Sequence, residues 1–141
     1  MFDKSLILEC LSRIEETILH IQERTQNINA AEDFLNTPNG VDMLDVAVIR
    51  LEAIGETIKN IDKNTDGLLL QKYTDIPWSK IKKVRDIIAH HYFDVDEEII
   101  FNIVKNDLDV LLATIRRMRD DDLLKLPSEA PLYPNPHIPA K

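Results

Sequence analysis

Aliphatic residues recur every three or four positions along most of this chain, and that spacing is the strongest constraint on its fold. Ile7, Leu11, Ile14, Ile18 and Ile21 form one stripe, over about residues 4–28. Leu44, Ala47, Val48, Leu51, Ile54, Ile58 and Ile61 form a second, over roughly 41–61. Ile81, Val84, Ile87 and Ile88 mark a third, within 80–92. Ile100, Ile103, Val104, Leu111, Thr114, Ile115 and Met118 make a fourth, over about 95–121. An α-helix turns once in about 3.6 residues, so each stripe runs along one face of a helix. The period-two alternation of a half-buried strand is absent. Short connections favour antiparallel neighbours, so the pattern predicts an all-α, up-and-down bundle of four long helices with short extra helical pieces.

The interruptions divide the chain in the same way. Residues 30–36 read as a short helical turn, Thr37-Pro38-Asn39-Gly40 as a break, Asp62 to Gly67 as a polar loop and Leu68-Leu69-Leu70 as one more turn. Pro77 suits the first turn of the third helix, where its missing N–H is an orphan in any case. Trp78 reads as an interhelix anchor, because its side chain has a large area to bury. Asp94-Val95-Asp96-Glu97 has capping-box spacing ahead of the fourth helix. Residues 1–126 make one helical domain. The segment from Pro127 to Lys141 holds five of the seven prolines and reads as a flexible tail.

Charge narrows the function. The net charge of −8 argues against binding long duplex nucleic acid, whose affinity scales with the phosphates neutralised. Two basic groups remain: Lys80, Lys82, Lys83 and Arg85 at the front of the third helix, and Arg116, Arg117 and Arg119 near the end of the fourth. A basic groove on an acidic body suits a short single strand. Cys10 is the single cysteine, so no intrachain disulfide forms. That fits a reducing cytoplasm, with Cys10 as a buried, inert thiol. The N-terminus lacks the pattern of a signal peptide, and no apolar run approaches membrane-spanning length. None of His20, His90, His91 or His137 has the glutamate three residues earlier that a helical di-metal site uses, so no metal is expected.

Chemistry concentrates in Arg85-Asp86-Ile87-Ile88-Ala89-His90-His91-Tyr92. At about 100° per residue, Tyr92 falls roughly 20° from Arg85, two turns along. Asp86 and His90 are neighbours four residues apart. Arg85, Asp86, Ala89, His90 and Tyr92 share a polar half of the wheel, and His91 falls among the apolar residues. Arginine grips phosphate through a planar fork of donors, and histidine moves protons near neutral pH. Asp86 and His90 read equally as an exposed pair worth a few tenths of a kcal/mol.

Arg85-x-x-x-x-His90-x-Tyr92 resembles the signature of the HEPN superfamily of small helical ribonucleases, and most of all the HepT-type toxins paired with a minimal nucleotidyltransferase. Asp75-Ile76-Pro77-Trp78-Ser79 before it, Tyr92-Phe93-Asp94-Val95-Asp96 after it, and Arg50-Leu51-Glu52-Ala53-Ile54-Gly55-Glu56 upstream, with the Gly-Glu pair that recurs in the group, extend the likeness. The resemblance implies an RNA-cleaving toxin that needs no metal or other cofactor. A ribose 2′-OH attacks the adjacent phosphate, His90 serves as general acid or base, and Arg85 holds the phosphate. Asp86 supports by orienting His90 and favouring its charged form, and Lys80, Lys82 and Lys83 contribute weakly to substrate binding. One helix supplies one histidine on its polar face, whereas cleavage needs an acid and a base, so a homodimer with a composite cleft is expected. Tyr92 is implied to accept adenylyl groups from a nucleotidyltransferase antitoxin. Tyr73 and Tyr133, in a connection and in the tail, are expected to be accessible as well. The competing reading is a non-catalytic helical adaptor that binds a nucleotidyltransferase or a nucleotide.

Overall fold

A computed structural model of the chain describes residues 3–90 and 94–122, with backbone alone for 89, 90, 121 and 122. The proposed domain end at 126 and the Pro-rich tail lie outside these residues. Four long helical stretches follow one another: α1 (Lys4–Arg24), α2 (Pro38–Asn64), α3 (Trp78–His90), and a last one built from α4 (Glu97–Asn102) and α5 (Leu108–Arg117). A π-helical turn, Ile103–Asp107, joins α4 to α5, and a second, Met118–Asp122, continues the run. Short 3-10 turns at Ala31–Phe34 and Leu70–Lys72 occupy two of the connections. The all-α bundle is therefore as the stripes predict.

The helix starts are set by side chains. Asp3 Oδ1 accepts from Leu6 N–H at 3.2 Å to open α1. The segment read as a break is instead the start of α2: Thr37 Oγ1 accepts from Gly40 N–H at 2.9 Å, and Pro38 occupies the first turn. A Cβ on Gly40 would stand 2.1 Å from the Asp33 carbonyl oxygen, so only glycine lets the 3-10 turn close against α2. In place of the capping box expected from Asp94 to Glu97, a single N-cap opens α4: Asp96 accepts from Glu98 N–H at 2.8 Å, and the residue three beyond it, Ile99, has no side-chain acceptor to return the bond.

The stripes meet in one core. Ile7, Leu11, Ile14, Ile18 and Ile21 of α1 are buried against Ile54, Ile58 and Ile61 of α2 and Leu111, Ile115 and Met118 of the last stretch. Trp78 packs on this core and donates its Nε1–H to the Tyr73 carbonyl at 2.9 Å, as an anchor should. Tyr73 is 1% exposed, which corrects the expectation that it is accessible. Its ring lies beneath the Arg117 guanidinium, 5.2 Å from ring centroid to carbon. Cys10 is partly buried rather than enclosed, and burial pushes its thiol up. No described helix is long and apolar enough to cross a membrane.

The C-terminal arginines are tied into the bundle rather than left as a free basic strip. Arg116 Nε donates to Glu15 Oε2 at 2.6 Å, and Arg119 pairs with Glu15 and Asp120. The Arg116 hydrogen bond, with Arg119 beside it, holds the Glu15 carboxyl below the usual carboxylate range. Reading the sequence locally could not find this, because the glutamate lies on α1.

Candidate active site

Arg85 belongs to α3 but is seated on α2. A Cβ built on Gly55 would stand 2.5 Å from Arg85 Cβ, 3.1 Å from its Cγ and 3.6 Å from the Ile81 carbonyl oxygen. Two carbons cannot approach to 2.5 Å, so the glycine is what allows the two helices to cross this closely. The aliphatic stem of Arg85 then lies in the α2–α3 seam, and its charged head reaches the rim, as long cationic side chains do. Its side chain is 26% exposed.

At the rim two carboxylates receive the guanidinium. Arg85 Nη2 is 2.7 Å from Glu56 Oε2, and Nη1 donates to Asp86 Oδ1 at 2.9 Å. Arg85 Nε is buried and has no hydrogen-bond partner among the described residues. The Asp86 hydrogen bond, reinforced by Glu56, holds the guanidinium proton even more firmly than usual. A guanidinium carries five N–H groups, so each Nη keeps a second hydrogen for an arriving anion. Glu56 and Asp86 side chains are about half exposed, at 49% and 53%.

The wheel placed Arg85 in the polar half of α3 and Ile87 in the apolar half. The structure rotates this picture. Ile81, Val84 and Ile88 turn inward with Arg85, while Ile87 is 42% exposed. The shift arises because Gly55 offers a seat for an arginine stem, which no wheel of α3 alone contains. The backbone of α3 stays helical through His90, so Asp86 and His90 are one turn apart on a single helix. The side chain of His90, and the whole of His91 and Tyr92, lie outside the described residues.

The three lysines do not act as a set. Lys82 Nζ lies 2.5 Å from Asp62 Oδ2 and forms a second α3-to-α2 ion pair beside the Arg85 seat. Lys83 is exposed. Lys80 faces the other side of α3, where it rims an apolar cavity of about 280 Å³ lined by Ile54, Ile81, Val84, Ile103, Leu108 and Leu111. Neither Arg85 nor Asp86 lines that cavity, so it is a packing groove apart from the polar site. No group of three or more His, Cys, Asp or Glu among the described residues could hold a metal ion.

Glu56 is the site residue that the histidine motif does not contain. Its signal in the sequence was the Gly55-Glu56 pair: a glycine inside a long helix costs about 1 kcal/mol against alanine and calls for a packing reason. Residues 7–118, spanning all the long helices and the Arg85 seat, match the family model described as Ribonuclease HepT-like. The chain belongs to the HepT-like ribonuclease family. A Thermococcus cleftensis protein named "Probable ribonuclease HepT" is 36% identical over 110 residues, which is 77% of this chain and 92% of that protein. A Methanocaldococcus jannaschii protein whose name pairs gamma-glutamylcyclotransferase with RNase is 32% identical over 111 residues. That match takes in 79% of this HepT-like chain but 46% of the relative. A second protein of that organism, also named for an RNase, is 37% identical over 81 residues, 54% of this chain and 64% of its own length. This chain thus spans about half of one of these relatives and under two thirds of another. No solved structure matches it.

Proposed function

We propose that this HepT-like chain is a metal-independent endoribonuclease, the toxin of a toxin–antitoxin pair, and that a nucleotidyltransferase antitoxin silences it by adenylylating Tyr92. The observation that carries the reading is the posture of Arg85. It is built into a helix seam, its guanidinium is presented at the rim between two half-exposed carboxylates, and the backbone of the same helix continues to His90, five residues on.

The chemistry requires few parts. A base removes the proton of a ribose 2′-OH, the oxygen attacks the adjacent phosphorus, and an acid protonates the departing 5′ oxygen. The products are a 2′,3′-cyclic phosphate and a 5′-OH. Negative charge builds on the non-bridging phosphate oxygens as the new bond forms. The Nη hydrogens of Arg85 meet that charge, and fixed donors of this kind stabilise a transition state more than a ground state. As the phosphate takes Arg85, Asp86 is released from its hydrogen bond and is one turn from His90, close enough to orient the imidazole. His90 acts as base or acid. A second His90, from a partner copy across a composite cleft, supplies the other role, which is why the active form is a homodimer.

Replacing Arg85 tests the phosphate-holding role. Arg85→Ala is expected to lower cleavage by about 10²–10³-fold, the usual cost of losing one oxyanion donor. Arg85→Lys is expected to be nearly as slow, because lysine keeps the charge and loses the fork. The two variants are compared as initial rates on a short single-stranded RNA. A lysine variant at near wild-type rate would reduce Arg85 to a diffuse charge.

Tyr92 is the proposed acceptor of AMP. Tyr73, buried at 1% exposure, offers no hydroxyl to an external enzyme. Tyr133 lies in the tail, outside the described residues, as does Tyr92. The wheel puts Tyr92 on the side of Arg85, where an added phosphate would pair with the guanidinium and occupy the substrate's place. Co-expression with the nucleotidyltransferase should therefore yield AMP-sized mass additions that map to Tyr92, and Tyr92→Phe should keep cleaving while resisting neutralisation. Additions confined to Tyr133, with Tyr92 bare, would end this account of the switch.

A further inference from the structure

The Arg-His-Tyr motif assigns nothing on α2, yet Arg85 is held from there. Asp86 is adjacent to Arg85 on the same helix and ties the guanidinium to α3 itself. Glu56 ties it across to α2. It stands one residue beyond the Gly55 seat, on a different helix, with Oε2 2.7 Å from Arg85 Nη2. Seat and carboxylate together define both ends of the side chain: Gly55 receives Cβ and Cγ, and Glu56 receives the far nitrogen. Arg85 Nε is buried and has no hydrogen-bond partner among the described residues. The neighbouring Lys82–Asp62 pair joins the same two helices without touching Arg85, and so provides an internal control for helix docking alone.

We infer that Glu56 is a positioning residue of the nuclease site, fixing the Arg85 guanidinium from α2 so that it meets the substrate phosphate in one orientation. This rests on the proposed role of Arg85 in holding phosphate. A conformationally free arginine at the rim would present its charge but not its geometry, and misplacement by about 1 Å can cost on the order of 10²-fold in rate. Glu56 is also a negative charge beside an anion site. Its removal therefore has two opposed consequences: weaker orientation and less repulsion of RNA.

The test uses the full chain carrying Glu56→Ala, Glu56→Gln, Asp62→Asn or Arg85→Ala. The readouts are kcat and KM on a short single-stranded RNA, and the ¹H–¹⁵N signal of Arg85 Nε, assigned by its loss in Arg85→Ala. Glu56→Ala is expected to lower kcat by up to about 10²-fold, with KM unchanged or lower. Glu56→Gln keeps an acceptor oxygen and should recover part of the rate. Asp62→Asn should leave kcat unchanged. The Nε–H signal should exchange faster with water in Glu56→Ala and not in Asp62→Asn. Wild-type or raised kcat in Glu56→Ala would overturn the inference, as would an equal loss in Asp62→Asn, which would reduce Glu56 to helix docking. If Arg85→Ala itself retains the wild-type rate, the proposed role of Arg85 fails, and the Nε–H signal alone then decides whether Glu56 fixes the guanidinium.

Discussion

Replacing His90 by alanine is expected to slow RNA cleavage by about 10²–10⁴-fold, the usual contribution of a general acid–base group, and to leave the fold intact. Among the described residues, the apolar contacts that hold α3 come from Trp78, Ile81, Val84 and Ile88, all before His90. Loss of the imidazole is expected to leave those contacts in place. His91→Ala is the matched control: the sequence wheel sets it apart from the Asp86–His90 pair, so it should lower the rate less than His90→Ala does. Initial rates together with thermal unfolding of both variants check the pair. An exchange of the two phenotypes would mean that the helical register does not carry through residue 91.

Gly55→Ala is expected to damage activity out of proportion to stability. The new methyl would meet Arg85 Cβ at 2.5 Å, close to the backbone of α3, so no rotamer change relieves the clash and the helix itself must shift. Overpacking of this kind costs about 1–3 kcal/mol. The higher helix propensity of alanine returns about 1 kcal/mol, which leaves a modest net loss in a chain whose other core contacts are unchanged. The shift, however, falls on Arg85, and a displacement near 1 Å is worth on the order of 10²-fold in rate. The unfolding midpoint and kcat of the same preparation separate the two effects. A Gly55→Ala variant that is both more stable and fully active would show that α2 and α3 do not cross at this distance in solution.

What the sequence disclosed, and what it did not, follows from how local each feature is. The apolar stripes of α1, α2 and the last stretch were legible because periodicity is a property of a single segment. Ile7 to Ile21 are all buried where the pattern put them. The setting of Arg85 was not legible, because it depends on a glycine thirty positions earlier, on another helix. The fate of Arg116 and Arg119 was hidden for the same reason: Glu15 pairs with both from α1. Tyr73 sits in a connection, which favours exposure, yet it is buried where the chain folds back beneath Arg117 and Trp78. The π turns at Ile103–Asp107 and Met118–Asp122 interrupt a sequence whose stripe is unbroken, and no residue type in them signals the change. The Gly55-Glu56 pair was visible only as part of a resemblance; its physical meaning required the neighbouring helix.

The central claim is that this chain cleaves RNA with its own side chains. It is tested most directly by incubating the purified chain, free of adenylylation, with a short single-stranded RNA in EDTA and determining the ends of the products by mass. Fragments ending in 2′,3′-cyclic phosphate and beginning with 5′-OH, formed by the wild-type chain and absent with His90→Ala and Arg85→Ala, are the predicted result. An unmodified chain that leaves the RNA intact, or that cuts it only when a divalent metal is restored, would contradict the account; intact RNA would favour a helical adaptor instead.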